Sequence, residues 1–242
     1  MLREIGNRDS AIWLLADSPP RNFGEHLGLP LDDRHIAVHS IFTPIFDKVQ
    51  YILFMESRTR IDTLNFYRRN AVDDVNTWKA ENRKYTEELK NEIREFAKIL
   101  NDYEKTCKII FTFGTNAFRF ASSALMCADG KNEACRLMGI TTRNDKIGNE
   151  NLGKKSETQR LGYELGKRIK NFNIENINIL PLLHVSITRG DINRIIISNR
   201  EFCKGLNANT DNECSYYVEV SKVIAELFLK YRENSNIRKL FL

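Results

Sequence analysis

The sharpest chemical feature of this chain is Asp17-Ser18-Pro19-Pro20, a carboxylate and a hydroxyl placed where the apolar run Ile12-Trp13-Leu14-Leu15-Ala16 stops. A carboxylate there can orient a water or stabilise a developing cation, or it can cap an ordinary turn. A second apolar run, Ile177 to Leu183, ends in His184-Val185-Ser186-Ile187-Thr188-Arg189, which supplies an imidazole, two hydroxyls and a cation. His35 and His39 are four apart and share a face on a helix. No third ligand is evident beside them, so they read as surface or hydrogen-bonded histidines and no metal is expected. Cys107, Cys127, Cys135, Cys203 and Cys214 are odd in number and form no C-x-x-C pair, which reads as reduced structural thiols.

Strands and helices in alternation must position these groups. Ile12 to Ala16 has the uninterrupted apolar character of a strand covered on both faces, and in open α/β sheets the residues past the carboxyl ends of such strands line the ligand crevice. Arg21 to Ser40 reads as a long loop over that end, carrying Asp32, Asp33 and Arg34 with the two histidines. Thr43-Pro44 opens a helix with the stripe Ile45, Val49, Ile52 and Leu53. Ile61 to Tyr67 reads as the second strand, with Asn65 near its carboxyl end. Thr86 caps a helix bearing Leu89, Ile93, Phe96 and Leu100. Lys108 to Phe113 is the third strand, and Gly114-Thr115 turns from it directly into a helix. Ser156 and Gln159 have capping-box spacing before Leu161, Leu165 and Ile169, Ile177 to Leu183 is the fourth strand, and a helix from Tyr216 to Tyr231 closes the chain. This pattern predicts one α/β domain over residues 1–242, three-layer α/β/α, with a central four-stranded parallel sheet.

The 37 Lys and Arg against 32 Asp and Glu give a net charge of +5, which suits a polyanion partner without demanding one. Residues 128–156 concentrate Lys131, Arg136, Arg143, Lys146, Lys154 and Lys155 among Gly and Asn. They read either as a solvated insertion or as the basic lip of a nucleic-acid groove. The first residues are too polar for a signal peptide, and no apolar run reaches the roughly 18 residues of a membrane span. A cytoplasmic protein with no membrane association and no obligate protein partner is expected.

Taken in order, the four strand ends carry Asp17-Ser18-Pro19-Pro20, Asn65, Gly114-Thr115-Asn116-Ala117 and His184-Val185-Ser186. Together they resemble the motifs of the uracil-DNA glycosylase superfamily, over roughly residues 11 to 190. The resemblance implies a monofunctional DNA glycosylase without cofactor or metal, which flips a base out of DNA and hydrolyses its glycosidic bond to leave an abasic site. It implies Asp17 and His184 as the catalytic pair, and Ser18, Pro20, Phe42 and Asn65 around the base. Phe42 would stack on the base and Asn65 would read its Watson-Crick edge. Ser186 would hold a flanking phosphate, while Ile187, Thr188 and Arg189 fill the gap left in the stack.

The chain departs from the family pattern at four places. Ser18 stands where many members keep their acid or amide, Ala16 replaces the usual glycine, and Val185 replaces a proline. Pro20 stands where uracil-specific branches often carry a tyrosine that blocks the base's C5 side. An open C5 side fits a bulky pyrimidine, such as the glucosylated hydroxymethylcytosine excised by bacterial members that defend against phage. The alternatives are a uracil-DNA glycosylase of base excision repair, a catalytically silent DNA-binding protein of the same fold, and an enzyme acting on free nucleosides or nucleotides.

Overall fold

In β2 (Ile12–Ala16) every residue is buried, and successive side chains enter different cores. Ile12, Leu14 and Ala16 join one cluster, while Trp13 joins a second with Leu15. This is why the run is apolar without alternation: both of its faces are covered. The computed structural model describes residues 4–18, 30–32, 38–78, 86–128, 157–184, 192–207 and 216–242. Their elements run β1 (Glu4–Ile5), β2, α1 (Val38–Ser57), β3 (Tyr67–Asn70), a 3-10 turn (Val75–Trp78), α2 (Glu87–Asp102), β4 (Ile109–Phe113), α3 (Thr115–Ala128), α4 (Glu157–Lys170), β5 (Asn178–Leu182), α5 (Ile192–Leu206), α6 (Tyr216–Lys230) and α7 (Ser235–Arg238).

The sheet is mixed and five-stranded, in the order β1-β3-β2-β4-β5. β3, β2, β4 and β5 run parallel to their neighbours, and β1 pairs antiparallel with β3 at the edge. Side chains from α1, α4, α5, α6 and α7 pack on one face of the sheet. The other face receives α2 and α3. Pro181 lies in β5 opposite Thr112, tolerable because β5 is an edge strand whose outer side needs no ladder donor.

Four expectations need correction. The expected sheet of four parallel strands gains β1, anchored because Glu4 accepts a hydrogen bond from the Tyr67 hydroxyl and lies 3.7 Å from the Arg69 guanidinium. The second strand is Tyr67–Asn70 rather than Ile61 to Tyr67. Ile61 forms only an isolated bridge to Phe241, and the Asp62 carboxylate bends the chain by accepting from the Leu64 N–H at 3.0 Å and from the Asn65 amide. Arg69 can enter a buried strand because Glu4 and Glu92 face its charge and the Phe96 ring lies 5.1 Å away. α1 begins at Val38, so Pro44 lies inside it, where its missing N–H removes one rung of the helical ladder.

The fourth correction is α5, an element not expected between the strand ending at Leu183 and the helix from Tyr216. It packs on α4 at unusually close range: a Cβ on Gly162 would sit 2.4 Å from the Ser198 carbonyl oxygen, one on Gly166 2.2 Å from that of Phe202, and one on Gly205 2.4 Å from that of Tyr163. The helix from Thr86 forms as expected, with the Thr86 hydroxyl accepting from the Leu89 N–H at 3.2 Å.

Candidate functional site

Asp17 is the first residue past β2, and its backbone is held by the neighbouring strand. The Ala71 N–H donates to the Ala16 carbonyl at 2.8 Å, and the Val72 N–H donates to that of Asp17 at 3.2 Å. The side chain is held as well. Its Oδ1 accepts from the Ser18 N–H at 2.8 Å, and its Oδ2 lies 3.1 Å from His184 Nε2. With Asp17 ionised, that contact requires the proton on Nε2, so the imidazole donates and the carboxylate accepts.

His184 leaves the end of β5, and β4 separates β5 from β2. The two strands are therefore two sheet spacings apart, about 10 Å, and their side chains meet only by crossing over the end of β4. Gly114 makes the crossing feasible. It follows β4 at φ +91°, and a Cβ there would lie 2.6 Å from His184 Cδ2. Its N–H donates to the Leu182 carbonyl at 3.0 Å, which fixes the end of β4 against β5. Only glycine combines this backbone with the space for the ring.

The side chains of Asp17 and His184 keep about a fifth and nearly a third of their surface open to solvent, at 21% and 30%. Each can therefore reach a ligand and still be oriented by the protein. A carboxylate that faces a proton-bearing imidazole can stabilise positive charge on one side of a breaking bond while the imidazole donates to negative charge on the other. Asn70 joins them. It ends β3 in register with Ala16, is 4% exposed, and among the described residues no other side chain hydrogen-bonds its amide.

No family model, curated protein or solved structure matches this chain.

Asn65 does not reach the crevice. It is exposed in the turn before β3, at the amino end of the sheet, where its amide donates to Asp62. The asparagine at a strand's carboxyl end is Asn70, five residues later. Its signal in the sequence was faint: an asparagine closing Tyr67-Arg68-Arg69, whose charged residues do not look like a strand. Phe42 is a core residue, 8% exposed, with its ring 4.6 Å from that of Phe46 and 6.1 Å from that of Phe113. A base sandwiched on Phe42 would first have to uncover it.

Ser18 is half-buried beside Asp17. Asp32 is buried, and the preceding Leu31 carbonyl accepts from Arg68 at 3.3 Å, which ties that part of the loop to β3. Pro20, Asp33, Arg34, His35, Ser186, Ile187, Thr188 and Arg189 lie outside the described residues, as do the His39 side chain and residues 129–156 of the basic insertion. Burial pushes the Cys107 thiol well above its ordinary range and also raises that of Cys203, so neither is poised as a nucleophile. Among the described residues, no three His, Cys, Asp or Glu side chains gather as a metal site, and no helix is long and apolar enough to cross a membrane.

Proposed function

We propose that this protein is a DNA glycosylase that flips a modified pyrimidine from DNA and hydrolyses its N-glycosidic bond. The observation that carries the proposal is the 3.1 Å contact between Asp17 and His184 across Gly114. It brings together two groups, 167 residues apart in the chain, that a metal-free cleavage of this bond needs. As the bond between C1′ and the base nitrogen breaks, its electron pair leaves with the base and the sugar becomes cationic. Asp17 stabilises that cation and accepts a proton from the water that adds to C1′. His184 donates from Nε2 to an oxygen of the departing base, which requires the base to take the place of Asp17 as the acceptor. Asn70, in place of Asn65, offers a donor and an acceptor to the base edge.

The resemblance of the strand-end motifs supports the DNA substrate, together with the net charge of +5. Pro20 supports a bulky C5 substituent such as that of glucosylated hydroxymethylcytosine. Phe42 withholds support from the stacking role the resemblance assigns it.

The test is direct. Purified protein is incubated with uracil-containing, hydroxymethylated and glucosylated phage DNA, and released bases are identified by mass spectrometry. Release of a substituted cytosine, abolished by Asp17→Ala and by His184→Ala, is the expected result. Release of uracil alone would replace the bulky base with a repair function. A second reading, a silent DNA-binding protein of the same architecture, draws on Ser18 at the acid's place and on the buried Phe42. It predicts salt-sensitive DNA binding with no base released from any substrate.

A further inference from the structure

The peptide group between Leu182 and Leu183, the last before the backbone turns out toward His184, is held at both ends. The Leu182 carbonyl turns toward β4 and accepts from the Gly114 N–H at 3.0 Å. In a trans peptide the N–H points the opposite way from the carbonyl, so the Leu183 N–H faces the outer side of β5. No strand pairs with it there, because β5 is the last in the sheet. Leu183 is fully buried, and a buried N–H without a partner is costly.

The partner comes from α6. Tyr216, its first residue, is buried, and its hydroxyl accepts a hydrogen bond from the Leu183 N–H. Burial pushes that hydroxyl well above its ordinary range, so it stays neutral. α6 is anchored in turn, since Ser221 Oγ donates to the Ile45 carbonyl at 3.0 Å and ties the helix to α1.

The site has little tolerance for movement here. β5 ends at Leu182, and His184 follows two residues later. If the peptide were held only from β4, rotation about that single bond would swing Leu183 and the imidazole with it. The contact between His184 Nε2 and Asp17 is 3.1 Å, and a shift of about 0.5 Å takes it to about 3.6 Å, where a hydrogen bond no longer exists. A second tether from the far side opposes that swing.

We propose that Tyr216 is a positioning residue for His184: its hydroxyl clamps the peptide from the side opposite β4 and so keeps the imidazole on Asp17. Its effect on base release rests on the glycosylase reading, whereas its hold on the ring does not. The plain alternative is a hydroxyl that only satisfies a buried donor, and the two differ in what the imidazole does when the oxygen is removed.

The test removes that oxygen with Tyr216→Phe. Beside it stands Ser221→Ala, which takes a hydroxyl from the same helix whose bond runs to Ile45 rather than to β5. Each should lower the melting temperature by about 2–6 °C. The decisive reading is the nitrogen NMR spectrum of the histidine side chains, taken without DNA at about pH 8.5, where ordinary imidazoles are neutral. The His184 signals are assigned from their loss in His184→Gln. In the wild type they should show one protonated and one bare nitrogen, the fixed Nε2–H tautomer. In Tyr216→Phe the two should move toward an averaged value, while Ser221→Ala keeps the wild-type pattern. Single-turnover base release should fall about tenfold in Tyr216→Phe with DNA affinity within about twofold, and should stay within about twofold in Ser221→Ala. An unchanged His184 pattern in Tyr216→Phe, or an equal change in Ser221→Ala, would overturn the proposal. A wild type that releases no base would instead remove the glycosylase reading, with the spectrum still deciding whether Tyr216 holds the ring.

Discussion

Replacing Gly114 by alanine sets a methyl group 2.6 Å from His184 Cδ2 and 3.2 Å from its Cβ and Cγ. The backbones cannot separate easily, because the Gly114 N–H is bonded to the Leu182 carbonyl at 3.0 Å. The ring must therefore give way by about 0.8 Å to restore an ordinary contact near 3.4 Å. Only about 0.5 Å separates the 3.1 Å bond to Asp17 from about 3.6 Å, where a hydrogen bond no longer exists. The clash is larger than the margin, so the ring should leave the position from which Nε2 donates to Asp17 or, in its place, to the base. The φ of +91° adds strain of about 1–3 kcal/mol for a residue with a Cβ. Loss of one aligned donor at a developing charge lowers a rate about 100-fold.

The assay is single-turnover base release with enzyme in excess, beside DNA binding by anisotropy and thermal melting. We expect release to fall about 100-fold with DNA affinity within about twofold, and the melting temperature to drop by about 3–9 °C. Ile179→Val, in the core that packs against α2 and α3, loses stability of about 1 kcal/mol without touching the pair and should keep its activity. Release by folded Gly114→Ala within about threefold of wild type would refute the reasoning, because the pair's geometry would then be incidental to the chemistry. Equal loss of activity in the two variants would refute it too.

Asn70→Ala should lower base release by about 100-fold while Asn65→Ala leaves it unchanged, since only Asn70 ends a strand beside β2, whereas Asn65 lies in the turn before β3; the same single-turnover assay decides between them. Gly166→Val drives a side chain into the Phe202 carbonyl oxygen, 2.2 Å from the Cβ position, and should cost about 3 kcal/mol or more, read as a lower urea midpoint. Burial, and then the hydrogen bond to Glu4, push the Tyr67 hydroxyl up from 10.0 to about 12. The folded chain thus holds this proton more tightly than the unfolded one. Stability from this source is intact below pH 10 and is lost as the pH rises toward 12, by about 1 kcal/mol per unit. Urea unfolding between pH 9 and about pH 11 should show that decline, and Tyr67→Phe should make it shallower.

Several elements were legible because their signals are local. A threonine before Glu87 and Glu88, a glycine after Phe113 and an apolar stripe from Tyr216 each specify a cap, a turn or a helix through neighbours a few residues away. β2 was legible for the same reason, and with it the position of Asp17. β1 and β3 were not, because Tyr67-Arg68-Arg69-Asn70 becomes a strand only when Glu4 and Glu92 face Arg69 and β2 offers its edge. α5 was hidden because its packing on α4 depends on three glycines in two segments, 162 and 166 against 205.

By itself, then, the sequence determined the α/β alternation, the polar residues that end the strands, and Asp17, Gly114 and His184 as the groups to watch. Only the tertiary structure decided which of these meet. Strand order places β4 between β2 and β5, and the missing Cβ of Gly114 lets the imidazole lie across it to Asp17. It also turned Asn65 away and set Asn70 at the strand end beside Ala16, because a register between strands is set by long-range pairing and burial that no local spacing encodes.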